Sequence, residues 1–161
     1  MFLLALAHVD GRTLLRRHLY LDEVVAECSR AAGVLAGSRG IGITVKSPEG
    51  VQVQGDEELL RRMVMNLLDN AIRHSPDGER VEITIAAEDN RVTLSVQDAG
   101  PGIPAAAHER VLERFVRLET DRPTSRGGLG LPIAGWIAEQ HEARWSSNRL
   151  LTDPGSSSHC P

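Results

Sequence analysis

Lysine is nearly missing from this sequence: Lys46 stands alone against seventeen arginines, so any side-chain cation that meets a phosphate here is an arginine. Cysteine is limited to Cys28 and Cys160, far apart and in no CxxC arrangement. That excludes a zinc ribbon or dithiol motif and suits a reducing compartment. Positive charge is not in excess. With 18 basic and 22 acidic residues the formal net charge is −4, which excludes a generally basic nucleic-acid binder and leaves room only for a local basic site. The apolar start, residues 1–7, is too short to cross a bilayer and has no basic residues ahead of it as a signal peptide would. No internal repeat and no long low-complexity tract occurs. What remains is a chain of 161 residues, 41% apolar and 25% charged. It reads as one globular domain of soluble, cytoplasmic type, long enough to bury a core without disulfides.

Hydrophobic spacing divides the chain into elements. Residues 1–10 read as the last turns of a helix stopped by Gly11, and residues 1–20 as that helix end plus a linker. An amphipathic helix is expected over 21–35, with Val24, Val25, Cys28, Ala31 and Ala32 near one stripe. Ile41, Ile43 and Val45, then Val51 and Val53, alternate as short half-buried strands around a Ser-Pro-Glu-Gly turn. Asp56 is placed to cap a long helix that ends before Pro76, with Glu57 and Glu58 in the first turn where the dipole favours acids. Val81, Ile83, Ile85 and Val92, Leu94, Val96 flank Asp89-Asn90 as a hairpin. Helices are expected over 106–118 and 131–141, separated by a polar loop. The segment 144–161 is serine-rich and weakly patterned. The order predicts an α+β fold, a mixed, mostly antiparallel sheet with helices on one face, as a two-layer sandwich.

Three stretches carry chemistry. On the long helix, Asn66, Asn70 and Arg73 share a narrow sector beside Arg62, opposite Leu60, Met63, Val64, Leu67, Leu68 and Ala71. A polar sector of this kind is ordinarily a solvated face. Yet two asparagines one turn apart weaken a helix, and a carboxamide oxygen suits a hard cation while arginine suits phosphate. The second stretch, DAGPGIP (98–104), follows a strand directly, so a turn is required there. Its Asp98 stands where a carboxylate can accept from the exocyclic amine of a base. The third, RGGLGLP (126–132), leads glycines into a helix, which makes an anion-binding nest of backbone N–H groups. Neither GxxxxGK[ST] nor GxGxxG occurs.

In order and spacing these stretches resemble the catalytic ATP-binding domain of sensor histidine kinases, within the superfamily that includes gyrase, Hsp90 and MutL ATPases. NLLDNAIRHS (66–75) corresponds to the N box, DAGPGI (98–103) to the G1 box, LERFVRLE (112–119) to the F box and GGLGLPI (127–133) to the G2 box. The resemblance covers residues 21–141 or thereabouts. It implies ATP and Mg²⁺ as ligands, with Asn66 binding the metal and Asn70 and Arg73 the phosphate oxygens. Asp98 would accept from the adenine amino group, and Gly100 and Gly102, with Ile103, would let the chain close beside the base. His74 stands where the family often has a tyrosine near adenine. Phe115 would anchor a mobile lid over 104–127. Gly128, Leu129, Gly130 and Leu131 would line the phosphate end.

The same resemblance implies an acceptor histidine on a separate dimerisation domain, with a response regulator downstream. No partner role for nucleic acid or membrane is implied. His141-Glu142-Ala143-Arg144 imitates the start of an acceptor motif but lies after the G2 box, tethered to the helix behind the phosphate loop. His8 lacks the motif's Glu and Pro and reads as a helix-end surface histidine. Three features depart from the family pattern. Arg126 replaces a glycine, Arg73 stands where lysine is commoner, and Trp145-Ser-Ser-Asn is a poor strand, so the last sheet edge is expected to be frayed or incomplete. An autonomous gyrase-type ATPase would need a carboxylate one turn before Asn66, where Arg62 stands. The F box disfavours an anti-sigma serine kinase. Two readings remain, a phosphotransfer module acting in trans and a non-catalytic nucleotide- or partner-binding module on the same fold.

Overall fold

The computed structural model describes residues 14–100, 130–146 and 149–152. Along these the chain forms β1 (Arg17–Tyr20), α1 (Leu21–Gly37), β2 (Gly42–Lys46), β3 (Gln52–Gly55), α2 (Glu57–His74), β4 (Arg80–Glu88), β5 (Arg91–Gln97), α3 (Gly130–Gln140), β6 (Arg144–Ser146) and β7 (Arg149–Thr152). Five strands make one sheet in the order β2-β4-β5-β7-β6, with β2 parallel to β4 and every other neighbour antiparallel. β1 and β3 pair antiparallel as a separate ribbon. The α+β expectation, with a mixed and mostly antiparallel sheet, is met.

Local chemistry accounts for the best-formed elements. Asp56 accepts a hydrogen bond from the Leu59 N–H at 3.2 Å and so caps α2. The stripe Leu60, Met63, Val64, Leu67, Leu68 and Ala71 is buried throughout. It meets Val81, Ile83 and Ile85 of β4 and Leu94 of β5 in one continuous core, where α1 and α3 pack on either side of α2. The β4–β5 hairpin turns at Asp89 (φ 44) and Asn90 (φ 68), both in the left-handed region, as a two-residue type I′ turn requires. α1 closes with Ile41 N–H to Ala36 O and Gly40 N–H to Gly37 O, a Schellman ending in which Gly40 has φ 65.

Four sequence expectations need correction. Residues 17–20, read as linker, form β1, because their backbone pairs with β3 although only Leu19 is buried. α1 runs two residues beyond position 35, and its buried face includes Ser29 and Ala36, whereas Ala31 is exposed. α3 begins at Gly130 and ends at Gln140, one residue earlier at each end. The frayed C-terminal edge is replaced by β6 and β7. β7 pairs with β5 from Val92↔Thr152 to Leu94↔Leu150, so the weak strand propensity of this segment is overridden by backbone pairing on an existing sheet.

Candidate nucleotide site

The polar face of α2 is not a solvated one. Asn66, Asn70 and Arg73 are each half-buried, and Nδ2 of Asn66 is fully buried with no hydrogen-bond partner among the described residues. An amide so placed costs about 1–3 kcal/mol unless something satisfies it. Gly130, the first residue of α3, lies against the same residue: a Cβ there would stand 4.0 Å from both Cβ and the backbone carbonyl oxygen of Asn66. The structure therefore brings the N-box helix and the entry to the G2-box helix together. The first turn of α3 has backbone N–H groups without intrahelical partners and the positive end of the helix dipole. Leu131, in that turn, is half-buried against the core. Arg73 is engaged by Asp69 one turn back, Nη2 donating to Oδ2 at 2.5 Å. Asp69 was not singled out from the sequence, though its i,i+4 spacing to Arg73 is the signal that marks it.

The G1 turn packs on the C-terminal end of α2. Asp98 follows β5, and its Oδ1 accepts from the Gly100 N–H at 2.8 Å, which fixes the carboxylate and leaves it further acceptor capacity. A Cβ on Gly100 would fall 2.6 Å from the His74 carbonyl oxygen and 2.9 Å from Asp98 Oδ1. Close approach, not backbone conformation, demands glycine at this position. His74 is the last residue of α2 and is half-buried.

Arg39, which the sequence reading passed over, holds this end in place. Its Nη1 donates to Ile72 O at 2.5 Å, Nη2 to Ser75 O at 2.7 Å and Nε to Asp77 Oδ1 at 2.7 Å. The fork thus satisfies carbonyls that the end of α2 leaves without helical donors.

His141 is buried at the C-terminal end of α3. Its Nδ1–H donates to Ile137 O at 2.7 Å, and Nε2 accepts from the Asp56 N–H at 3.0 Å, so the partners fix the tautomer. Burial pushes its pKa below the usual histidine value; the Arg16 charge acts in the same direction, while the bond to Ile137 and the Asp56 carboxylate oppose it. Both ring nitrogens are thus occupied. Gly102, Ile103, Phe115, Gly128, Leu129 and Arg126, the lid over 104–127, the helix expected over 106–118, and His8 lie outside the described residues.

Residues 55–157 match the family described as histidine kinase-, DNA gyrase B-, and HSP90-like ATPase, and the chain belongs to it. Within that family its similarity is to the sensor histidine kinases, as their ATP-binding catalytic domain. It is 38% identical to "Sensor-like histidine kinase SenX3" of Mycolicibacterium smegmatis over 86% of this chain and 36% of that protein. It is also 38% identical to "Adaptive-response sensory kinase SasA" of Prochlorococcus marinus over 75% of this chain and 32% of that protein. The chain therefore spans about a third of the length of the curated relatives it matches. Among solved structures, a mycobacterial sensor histidine kinase, MprB, superposes with a TM-score of 0.75 at 26% identity, covering 84% of this chain and 97% of that one. Full-length ShkA in complex with AMPPNP shares the fold, with a TM-score of 0.75 at 22% identity over 92% of this chain and 33% of that one. Membership of the family implies ATP binding. No helix among the described residues is long and apolar enough to cross a membrane.

The residues present fit a magnesium nucleotide. The Asn66 carboxamide stands on the residue whose backbone packs against the N-terminus of α3, and its Nδ2 donor has no partner among the described residues. An amide oxygen is a hard ligand of the kind Mg²⁺ takes together with substrate phosphates.

Proposed function

We propose that this domain binds Mg·ATP and passes the γ-phosphoryl group to a histidine on a separate dimerisation domain, as the catalytic part of a two-component sensor kinase. The observation that carries the reading is the buried Asn66 Nδ2 without a partner among the described residues, on the residue whose backbone Gly130 packs against, where two family motifs meet. Asp98 accepts from the adenine amino group, and the glycine turn after it closes beside the base. His74, at the end of α2, neighbours that turn. Asn70 and Arg73 hold phosphate oxygens, with Arg73 exchanging its Asp69 partner for the nucleotide. Gly128 and Gly130 carry the backbone cradle, Ile103, Leu129 and Leu131 supply apolar walls, and Phe115 anchors the lid.

Asn66 would hold the metal, which would supply charge neutralisation at the phosphates. The chain's own residues bind, orient and exclude water. Arg62 occupies the position from which a carboxylate would activate water, so hydrolysis is suppressed relative to transfer. The acceptor is a histidine from another polypeptide or segment, a reading supported by the commitment of both His141 ring nitrogens. A response regulator then receives the phosphoryl group, in the cytoplasm. Calorimetry with ADP and Mg·AMPPNP tests the site, and a folded chain that binds neither refutes it. Binding without transfer to any acceptor domain would instead identify a non-catalytic nucleotide-binding module.

A further inference from the structure

α2 and α3 run antiparallel, and two contacts at opposite ends set how far one reaches along the other. At one end Gly130 meets Asn66. At the other, the His141 ring accepts from the Asp56 N–H at the N-cap of α2. The two spans match. Ten residues separate Asp56 from Asn66 and eleven separate Gly130 from His141, about 15 Å and about 16 Å at the helical rise.

The room for the ring is built into the chain. A Cβ on Gly55 would fall 2.9 Å from His141 Cδ2 and 2.7 Å from a Leu60 methyl, so only glycine leaves the imidazole its seat. The ring is also held from its own helix by Ile137 O. Around it the junction is fastened further: Arg16 donates to Gln140 O at 3.0 Å and pairs with Glu142 at 3.5 Å, and the Asp56 carboxylate accepts from the Leu15 N–H at 3.2 Å.

We propose that His141 is a positioning residue for the phosphate end of the nucleotide site. By seating the end of α3 on the cap of α2 it fixes the register in which Gly130 stands against Asn66. The inference rests on the nucleotide reading for its consequence but not for its geometry. His141 touches no nucleotide. It acts through α3, and the adenine end, held by Asp98, Gly100 and Arg39 at the far end of α2, is independent of it.

Two measurements on the full chain separate the register from the function. In the nucleotide-free protein, His141→Leu removes the acceptor while keeping an apolar side chain in place. Its nuclear magnetic resonance spectrum is expected to show the Asn66 side-chain amide and the Gly130 backbone amide displaced while Gly100 keeps its position. Unmoved Asn66 and Gly130 resonances overturn the proposal whether or not nucleotide binds. With ligands, His141→Leu should weaken Mg·AMPPNP binding about tenfold and leave adenosine binding nearly unchanged, because the loss is one of alignment at the phosphates. His141→Gln, whose amide oxygen can accept from Asp56, should restore most of the Mg·AMPPNP affinity. Equal weakening of both ligands overturns the proposal, as does no weakening of either. If His141→Leu does not fold, the same two measurements on Gly55→Ala, which keeps the imidazole but displaces it, decide between the same outcomes. A wild type that binds neither ligand refutes the nucleotide site and leaves the register to the spectra.

Discussion

Gly100 lies directly against the carbonyl of His74, so close that a Cβ at position 100 would stand 2.6 Å from that oxygen. The turn carrying Asp98 is thereby mounted on the last residue of α2, and the carboxylate proposed to meet the base is placed by that helix end. Gly100→Ala must push the turn away from α2. Nucleotide affinity is expected to fall by more than about tenfold, since a misaligned carboxylate no longer pairs with the base, while the far-UV spectrum is kept. Calorimetry beside circular dichroism checks this.

Asp98 and Asn66 should separate the two ends of the nucleotide. Asp98→Ala removes a charged acceptor from a buried amine, a loss of about 1.5–3 kcal/mol, or roughly ten- to a hundredfold in affinity. It should act equally on ADP and AMPPNP, with or without Mg²⁺. Asn66→Ala should abolish the gain that Mg²⁺ brings and leave metal-free binding little changed. Titrations in magnesium and in chelator read both effects.

Glu142 adopts φ 58 in the left-handed region at the end of α3, where the Ala143 N–H reaches Ala138 O and the Glu142 N–H reaches Glu139 O. This is the position of a Schellman ending that glycine prefers. Glu142→Gly should stabilise the domain by about 1 kcal/mol, or about 3 °C in Tm for a chain of this size. The exposed pair with Arg16 that it gives up is worth little. Differential scanning calorimetry measures the shift.

His141 also makes stability depend on pH with a defined sign. Its folded-state pKa lies below the ordinary histidine value of 6.5, because burial, and then Arg16, outweigh the opposing Ile137 carbonyl and Asp56 carboxylate. The unfolded chain therefore takes up the proton first as pH falls. The stability contributed by the neutral ring is complete above pH 6.5 and is lost as pH falls below it towards the folded-state value. Urea midpoints at about pH 7.5 and about pH 5.5 should differ more for wild type than for His141→Gln, which has nothing to titrate there.

Much of this was legible in the sequence. The 3.6-residue spacing of Leu60, Met63, Val64, Leu67, Leu68 and Ala71 and the cap at Asp56 specify α2, because a long amphipathic helix carries its own boundary signals. The Asp89-Asn90 turn specifies the hairpin for the same reason. Short strands without apolar alternation were not legible. β1, β6 and β7 hold three or four residues each and exist because β3 offers backbone to β1, β5 to β7, and β7 in turn to β6. At the site, Asn66, Asn70, Arg73, Asp98 and Gly100 stand out by residue type and spacing. Arg39 does not, and His141 stands out only for its imitation of an acceptor motif: each acts on a carbonyl or amide of a segment more than thirty residues away, and no local pattern records such a contact.

The transfer of phosphoryl to an external histidine is tested most directly with ATP labelled at the γ-phosphate. The chain is incubated alone and then with a dimerisation domain carrying an acceptor histidine. The account predicts no label on this chain and label on the added domain, stable to alkali and lost in acid. Label on this chain that disappears in His141→Ala, or no label in either mixture from a protein that binds Mg·ATP, would contradict it.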